Sequence, residues 1–146
     1  MKKVSSLLIV DDNPVDVQLS KIVFGRTGRF RCVRSVSDGA DALALFTDFD
    51  ASRAADPEAF PPDLVLLDIN MPRMGAFAFL EAYAQIRDAV VGHGVDPQVI
   101  VFSSADDPSE RQRCEASPLV AGYLVKPASV EDGIALAERF GTEPSL

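Results

Sequence analysis

Four short, uninterrupted apolar runs divide this chain, and they constrain its fold more than any other feature of the sequence. They cover residues 7–10, 64–67, 99–102 and 123–125. Uninterrupted apolar runs of this length are typical of strands that are buried on both faces of a sheet. A fifth run, residues 30–36, is interrupted by Arg31 and Arg34, which predicts a charged strand at the edge of the sheet.

The intervals between these runs carry apolar residues at helical spacing. Cap signals at residues 13–14, 38–39, 107–110 and 129–132 predict four helix starts, and a further helix is predicted around residues 76–83. The helix that starts at 107 is mostly polar, so we expect it to be exposed and mobile. The apolar residues expected on one face are Val15, Leu19, Ile22 and Val23 in the first helix, Ala42, Leu45, Phe46 and Phe49 in the second, Ala76, Phe79, Leu80 and Tyr83 in the third, and Val130, Ile134, Ala137 and Phe140 in the last.

Strands and helices alternate along the chain, and right-handed crossovers turn such an alternation into a parallel sheet covered by helices on both faces. We therefore predict a doubly wound α/β fold with a five-stranded parallel sheet and five helices. The 146 residues suffice for one domain with its own core and leave little room for a second. Residues 50–62, rich in alanine, proline and charge, are predicted to be a surface loop.

The composition excludes several kinds of partner and location. The formal net charge is −8, so the average surface repels phosphate backbones and anionic lipid, and we expect neither nucleic-acid nor membrane binding. The chain has no apolar run near the ~20 residues that cross a bilayer and no signal peptide, which predicts a cytoplasmic protein. Cys32 and Cys114 follow no metal-binding pattern and are predicted to be free thiols, while the single histidine, His93, is interpreted as a loop residue.

Polar side chains follow the buried runs at the points where the strands end, and in a parallel sheet those ends share one edge. Each of these side chains alone has an ordinary explanation as a turn former, a helix cap or a solvated group. Their expected convergence is what indicates a site. They are Asp11, Asp12, Asp68, Ser103, Ser104 and Lys126.

Three carboxylates close together repel one another unless a cation or a proton lies between them. Oxygen ligands without histidine or thiolate favour a hard ion, and a site with few protein ligands suits Mg²⁺. A neighbouring ammonium and hydroxyl, from Lys126 and Ser103, make sense if an anion also enters, and a phosphoryl group is the common one. A carboxylate can itself accept that group and form an acyl phosphate.

The sequence at these positions resembles the receiver domains of two-component response regulators. The matching motifs lie at residues 7–12, 66–72, 102–104 and 126–127, in the order and spacing of that family. The resemblance implies a flavodoxin-like strand order, 2-1-3-4-5, with residues 1–141 as the receiver domain and residues 142–146 as a short tail. It also implies that Asp68 is the phosphoacceptor, and that Mg²⁺ is held by Asp11, Asp12, Asp68 and the backbone carbonyl of Asn70.

The same resemblance assigns the residues that respond to the phosphoryl group. Ser103, with Ser104 beside it, would supply the switch hydroxyl that moves onto that group. Lys126 would pair with it, and Tyr123 matches the aromatic switch position three residues earlier. The peptide bond to Pro127 is expected to be cis.

The chain departs from the family pattern in the loop that follows Met71-Pro72. The family usually continues there to an Asp-Gly or Asn-Gly pair, whereas Gly75-Ala76 occupies the place here. Gly75 can serve a tight turn, but Ala76 does not readily adopt a positive φ. We therefore expect altered geometry in this loop and an intact acid site.

The resemblance implies signalling by protein contact instead of catalysis on an outside substrate. The phosphodonor would be a sensor histidine kinase or a histidine phosphotransfer protein. A phytochrome-type kinase is one candidate, because some receivers that serve such kinases also have enlarged loops. Little chain follows the last predicted helix, so output through another protein is expected, and a homodimer is a further candidate.

Two other functions stay open. A Mg²⁺-dependent phosphohydrolase that forms an aspartyl phosphate would need a similar set of residues. In dehalogenase-like hydrolases, however, the nucleophile follows the first strand and the acidic pair comes late, whereas here the pair comes first. A degenerate receiver that binds partners without phosphorylation is the other alternative, and only the Gly75-Ala76 departure favours it.

Overall fold

The computed structural model of the chain describes residues 1–71, 73–104 and 106–144. Within these residues, five strands form one sheet in which every neighbouring pair is parallel. Their order, β2-β1-β3-β4-β5, confirms the predicted doubly wound α/β sheet and its 2-1-3-4-5 order. The strands are β1 Val4–Val10, β2 Phe30–Val36, β3 Leu64–Asp68, β4 Gln98–Ser103 and β5 Val120–Val125.

Six helices, and not the predicted five, lie in the described part of the chain. They are α1 Pro14–Thr27, α2 Gly39–Thr47, α3 Phe49–Ala55, α4 Ala76–Val91, α5 Pro108–Glu115 and α6 Val130–Phe140. Helices α1 and α6 cover one face of the sheet, where they contribute Phe24 and Leu136 to the core. Helices α2, α3 and α4 cover the other face, together with Cys114 of α5.

The additional helix, α3, begins the segment that the sequence predicts to be a surface loop. Asp48 ends α2 with a non-helical backbone, so Phe49 belongs to α3 and not to the predicted second helix. The ring of Phe49 is 5% exposed and packs edge-on against Phe60 at 5.0 Å between centroids. Burial of this ring explains why residues 49–55 fold against the core.

The predicted buried face of α1 is wrong. Val15, Leu19 and Ile22 are 65%, 49% and 51% exposed, and the buried residues of this helix include Val17 and Phe24. The reason lies in the contact with α6, where Gly133 leaves room for Phe24: a side chain at 133 would place its Cβ 3.1 Å from that ring. The helix therefore turns its one aromatic side chain, Phe24, inward and leaves Val15, Leu19 and Ile22 in solvent.

The other predicted helix faces fare better. In α4 all four predicted residues are buried, and in α6 Ala137 is buried while the other three are half-buried. Helix α5 buries only Cys114 among its eight residues, which confirms the predicted exposure; its mobility stays a prediction. The predicted caps of α1, α5 and α6 are confirmed, including the capping box of Ser129 and Asp132.

The two edges of the sheet are β2 and β5. The edge position predicted for β2 is confirmed. The prediction that residues 123–125 are buried on both faces is wrong, because β5 is the outermost strand beside β4 and Tyr123, Leu124 and Val125 are half-buried. Since an edge strand has a neighbour on one side only, an apolar run by itself does not separate a central strand from an edge strand covered by helices.

Smaller features agree with the sequence analysis. Cys32 and Cys114 are free thiols, and His93 lies in the turn after α4, where its ring stacks on Phe49 at 3.8 Å. In the predicted tail, Thr142 pairs with Lys3 in an antiparallel bridge, while residues 145–146 lie outside the described residues. Among the described helices, none combines the length and the apolar character needed to span a membrane.

Candidate functional site

Three carboxylates meet at the carboxyl edge of the sheet. β1 runs directly into Asp11 and Asp12, and its neighbour β3 ends at Asp68. Asp11 and Asp68 are 4% and 8% exposed, whereas Asp12 is exposed. Each of the three offers an oxygen atom within 4.8 Å of the others. The predicted acid cluster is therefore present, and its oxygen-only donor set fits a hard divalent cation.

Lys126 lies among these acids. Its Nζ atom is 2.6 Å from Asp11 Oδ2, 3.1 Å from Asp16 Oδ2 and 3.5 Å from Asp68 Oδ1. Lys126 directly follows β5, and its peptide bond to Pro127 is cis, as expected. A second cis bond, between Phe60 and Pro61, was not anticipated.

Asp16 is a site residue that the sequence analysis missed. It follows the N-cap Asn13 by three positions, in the first turn of α1, and its carboxylate accepts a hydrogen bond from Lys126. A signal for it existed: residues in the first turn of a helix lie beside the strand end from which the helix departs. It was overlooked because an acid in that position is ordinarily explained by the helix dipole.

Electrostatics at this edge of the sheet favour an added cation. Burial raises the pKa of Asp68 to about 6, and the charge of Asp11 adds to the rise, while Lys126 and the Asn70 N–H oppose it. Burial acts to lower the pKa of Lys126, but its contacts with Asp11, Asp68 and Asp16 outweigh burial and raise it. The amine thus stays charged, yet it cannot balance four carboxylates by itself.

The hydroxyl of Ser103 lies at the end of β4, next to the acids. Ser103 is 1% exposed, and its Oγ donates a hydrogen bond to Glu110 Oε1 at 2.8 Å. The Tyr123 hydroxyl donates to the same oxygen at 3.1 Å, so the two predicted switch residues meet on one carboxylate. Glu110 was missed because its place in the first turn of α5 was explained as helix capping. Ser104 is exposed to solvent.

The loop between β3 and α4 has its positive φ at a different residue from the predicted Gly75-Ala76 pair. Gly75 is the extended N-cap of α4 and Ala76 is its first residue, so neither needs a positive φ. Arg73 adopts the positive φ, 59°. Its guanidinium donates to Asp38 Oδ2 at 2.5 Å and to Asp41 Oδ1 at 3.0 Å, which fastens the loop to the start of α2. Pro72 lies outside the described residues.

Asn70 lies in this loop, two residues after Asp68. Its backbone N–H faces the Asp68 carboxylate and lowers the pKa of that group. The role of its carbonyl as a metal ligand stays a prediction.

The comparison with protein families decides the classification. A family model described as the response regulator receiver domain matches residues 7–138 of this chain. The chain belongs to that family. This membership agrees with the receiver fold and the strand order expected from the sequence.

Two curated relatives are longer than this chain and match it over part of their length. It is 30% identical over 128 residues to the positive alginate biosynthesis regulatory protein of Pseudomonas aeruginosa. It is 27% identical over 125 residues to the sensor histidine kinase RcsC of Escherichia coli. The alignments include 87% and 86% of this chain but 43% and 11% of those proteins. The chain thus spans less than half the length of either relative.

Solved structures share the receiver fold. The response regulator receiver protein from Dyadobacter fermentans matches with a TM-score of 0.73 at 25% identity, over 94% of this chain and 98% of that one. The bacteriophytochrome response regulator RtBRR matches with a TM-score of 0.68 at 25% identity, over 100% and 82%. A two component response regulator from Cytophaga hutchinsonii has the same fold, with a TM-score of 0.80 at 24% identity over 95% and 98%.

Proposed function

We propose that this receiver domain accepts a phosphoryl group on Asp68 and signals through a phosphorylation-dependent contact with another protein. The observation that carries the proposal is the position of Asp68, which is buried between a second acid, Asp11, and the ammonium of Lys126. Phosphorylation would turn this buried carboxylate into an acyl phosphate, and the ammonium of Lys126, 3.5 Å from Asp68 Oδ1, would neutralise part of the phosphoryl charge.

The proposed reaction is a phosphoryl transfer from histidine to aspartate. An oxygen of the ionised Asp68 side chain attacks the phosphorus, the new O–P bond forms as the P–N bond breaks, and the imidazole leaves. Lys126 is close enough to turn from Asp11 and Asp68 toward the incoming phosphoryl oxygens. The Ser103 hydroxyl, at the end of the strand beside Asp68, can donate to another of them.

The metal that we assign to this site is Mg²⁺, held by Asp11, Asp12, Asp68 and the backbone carbonyl of Asn70. When bound, Mg²⁺ supplies the positive charge that phosphoryl oxygens need in the transition state. The acids fit this role because three carboxylate oxygens already lie within 4.8 Å of one another.

The phosphodonor is proposed to be a sensor histidine kinase or a histidine phosphotransfer protein. A phytochrome-type kinase is the favoured donor, because the bacteriophytochrome response regulator RtBRR matches the full length of this chain.

We also propose a cytoplasmic location, because a histidine kinase takes its phosphoryl group from ATP inside the cell. We propose that the chain catalyses only its own phosphorylation and dephosphorylation. A second copy of the chain is a candidate partner, with which it would form a homodimer.

A donor surface lies beside the site. Val15, Leu19 and Ile22, which we call the α1 apolar patch, are all about half exposed or more. Leu19 also lines a groove with Asp16, Lys126 and residues 127–128. Because this groove contains site residues, a donor helix seated on the patch would bring its phosphohistidine to the acids.

Labelling with acetyl phosphate and Mg²⁺, followed by intact mass spectrometry, tests the proposal. We expect a gain of about 80 Da in the wild type and none in Asp68→Asn, because the acceptor oxygen is removed. Asp88→Asn, at an exposed position of α4, is the matched control and should label normally. Asp12→Ala should label slowly at any Mg²⁺ concentration, because one ligand charge is lost.

Three outcomes would contradict the proposal. Labelling of Asp68→Asn at the wild-type level would move the acceptor elsewhere. Absence of label in the wild type would favour the degenerate receiver. Turnover of a generic phosphate ester at enzyme-like rates would favour the phosphohydrolase.

A further inference from the structure

One oxygen of Glu110 accepts hydrogen bonds from two side chains of different strands. Ser103 Oγ, at the end of β4, is 2.8 Å from Glu110 Oε1, and the Tyr123 hydroxyl, on β5, is 3.1 Å from the same atom. Glu110 itself lies in the first turn of α5. This carboxylate therefore joins two strands and a helix next to the phosphorylation site.

The bond to Ser103 competes with the proposed function. A serine hydroxyl carries one proton, so at any moment it donates to a single acceptor. β4 pairs with β3 so that Phe102 lies opposite Asp68, and Ser103 is the next residue. In the phosphorylated protein its hydroxyl has a second strong acceptor, the phosphoryl oxygen, and it has to leave Glu110 to reach it.

We propose that Glu110 is a positioning residue that holds Ser103 and Tyr123 in the arrangement of the unphosphorylated protein, and that phosphorylation works against this hold. The inference rests on the proposed function of Asp68. Hydrogen bonds to a carboxylate are among the stronger ones in proteins. Breaking the bonds to Glu110 therefore costs free energy, and this cost lowers the affinity of the protein for a phosphoryl group or its mimic.

The same carboxylate gives the switch a route to the surface. Cys114 is the one buried residue of helix α5. The Glu110 bonds to Ser103 and Tyr123 attach the first turn of this helix to β4 and β5. When Ser103 turns toward the phosphoryl group and Tyr123 follows, the start of α5 loses these attachments. Arg111, whose guanidinium lies 5.3 Å from the Tyr123 ring centre, changes its surroundings at the same time.

Beryllofluoride with Mg²⁺ is a phosphoryl mimic that binds an acceptor aspartate. Its affinity for the protein measures the free-energy cost of releasing Ser103 and Tyr123 from Glu110. Glu110→Gln, which keeps the size of the side chain, should bind the mimic about threefold to tenfold more tightly than the wild type, because the unphosphorylated state loses its charged acceptor. Glu110→Ala should act in the same direction. Glu131→Gln is the matched control, since Glu131 is exposed and also lies in the first turn of a helix, and it should bind like the wild type.

A residue that is merely structural gives a different result. Its replacement would weaken beryllofluoride binding or leave it unchanged while lowering the unfolding free energy, and that outcome overturns the inference. In a Ser103→Ala, Tyr123→Phe background, Glu110→Gln should change the affinity by less than about twofold, because no hydroxyl is left to hold. A tenfold effect in that background also overturns it.

Failure of the proposed function looks different again. If the wild type does not bind beryllofluoride at all, the role of Asp68 fails and the inference falls with it. If the wild type binds and the Glu110 variants bind no more tightly, only the role of Glu110 fails. Hydrogen exchange supports the inference when the amides of residues 109–115 exchange faster in Glu110→Gln than in Glu131→Gln, both without the mimic, and equal exchange in the two variants contradicts it.

Discussion

Asp68 combines two properties that oppose each other. The proposed attack on phosphorus requires an ionised side chain, yet burial and the neighbouring charge of Asp11 favour the neutral form and raise the pKa of Asp68 to about 6. The folded protein thus binds the Asp68 proton more tightly than the unfolded chain does. By linkage, this carboxyl group lowers the stability of the folded state increasingly as the pH rises from about 4 to about 6, and the full penalty applies above that range.

We therefore expect Asp68→Asn to stabilise the metal-free protein near neutral pH. The gain should be about 1–3 kcal/mol at about pH 7.5 and should shrink toward zero at about pH 4, where the wild-type carboxyl is itself neutral. Urea unfolding of both proteins at the two pH values measures it. Asp88→Asn, on an exposed surface, supplies the control. A gain that is independent of pH would contradict this account of Asp68.

The sequence located Asp68, the acidic pair and Lys126 at one edge of the sheet, because each follows a recognisable strand end. It missed Asp16 and Glu110 for a common reason. Both lie in the first turn of a helix, where an acid already has a local explanation, and a local explanation hides a long-range contact. Only the packing of α1 and α5 against the strand ends shows that Asp16 reaches Lys126 and that Glu110 reaches Ser103.

Among the elements, the start of α2 is the support for the loop after Asp68. The Gly39 N–H donates to the Met74 carbonyl at 3.1 Å, and a Cβ on residue 39 would lie 2.7 Å from that same oxygen. Asp38, the N-cap of α2, also accepts from Arg73. Glycine is thus required at 39 because the loop backbone passes so close, and the loop carries the predicted ligand Asn70.

This contact predicts opposite effects for two glycine substitutions. Gly39→Ala should destabilise the protein by about 1–3 kcal/mol and weaken Mg²⁺ binding, because the loop has to move away from the new methyl group. Gly25→Ala, in α1 with no atom within 4 Å of its Cβ, should instead stabilise by up to about 1 kcal/mol and leave Mg²⁺ binding unchanged. Urea unfolding and titration calorimetry measure both. Equal effects of the two substitutions would show that the Met74 contact is unimportant.

Helix existence was more predictable than helix rotation. The caps at Asn13 and Ser129 gave the starts of α1 and α6 correctly, since capping depends on neighbours in sequence. The buried face of α1 depends on a residue of α6 more than a hundred positions away, Gly133, which makes room for Phe24. Likewise, α3 is stabilised by the packing of Phe49 against Phe60. The periodicity of the sequence in this segment does not predict that contact.

For the whole molecule, the alternation of buried runs and helical segments was enough to predict the sheet, because right-handed crossovers leave few topologies for such a chain. The consequence for function is a separation of surfaces. The α1 apolar patch lies on the face of the sheet that α1 and α6 cover, whereas α5 contributes to the core of the opposite face. Leu19 of the patch lines the same groove as Asp16 and Lys126, and Glu110 connects Ser103 to α5. Input and output can therefore use different faces.

This separation of surfaces predicts that a substitution in the α1 apolar patch slows phosphotransfer from a protein donor and leaves labelling by acetyl phosphate unchanged. Leu19→Ser should slow phosphotransfer from a histidine kinase or phosphotransfer protein by about tenfold, because a leucine side chain buried on docking contributes about 1–3 kcal/mol. Its labelling by acetyl phosphate should stay at the wild-type rate, since that small donor needs no helix surface. Transfer from a phosphorylated donor and labelling by acetyl phosphate, followed side by side, measure the two rates.

Val91→Ser is the control for exposed apolar surface in general. Val91 is 39% exposed and ends α4 on the opposite face of the sheet, so its replacement removes a similar group far from the patch and should leave both reactions unchanged. If Leu19→Ser slowed both reactions equally, the leucine would act on the acid site itself. If it slowed neither, the donor would have to approach Asp68 over another surface, and the exposed stripe of α1 would need another explanation.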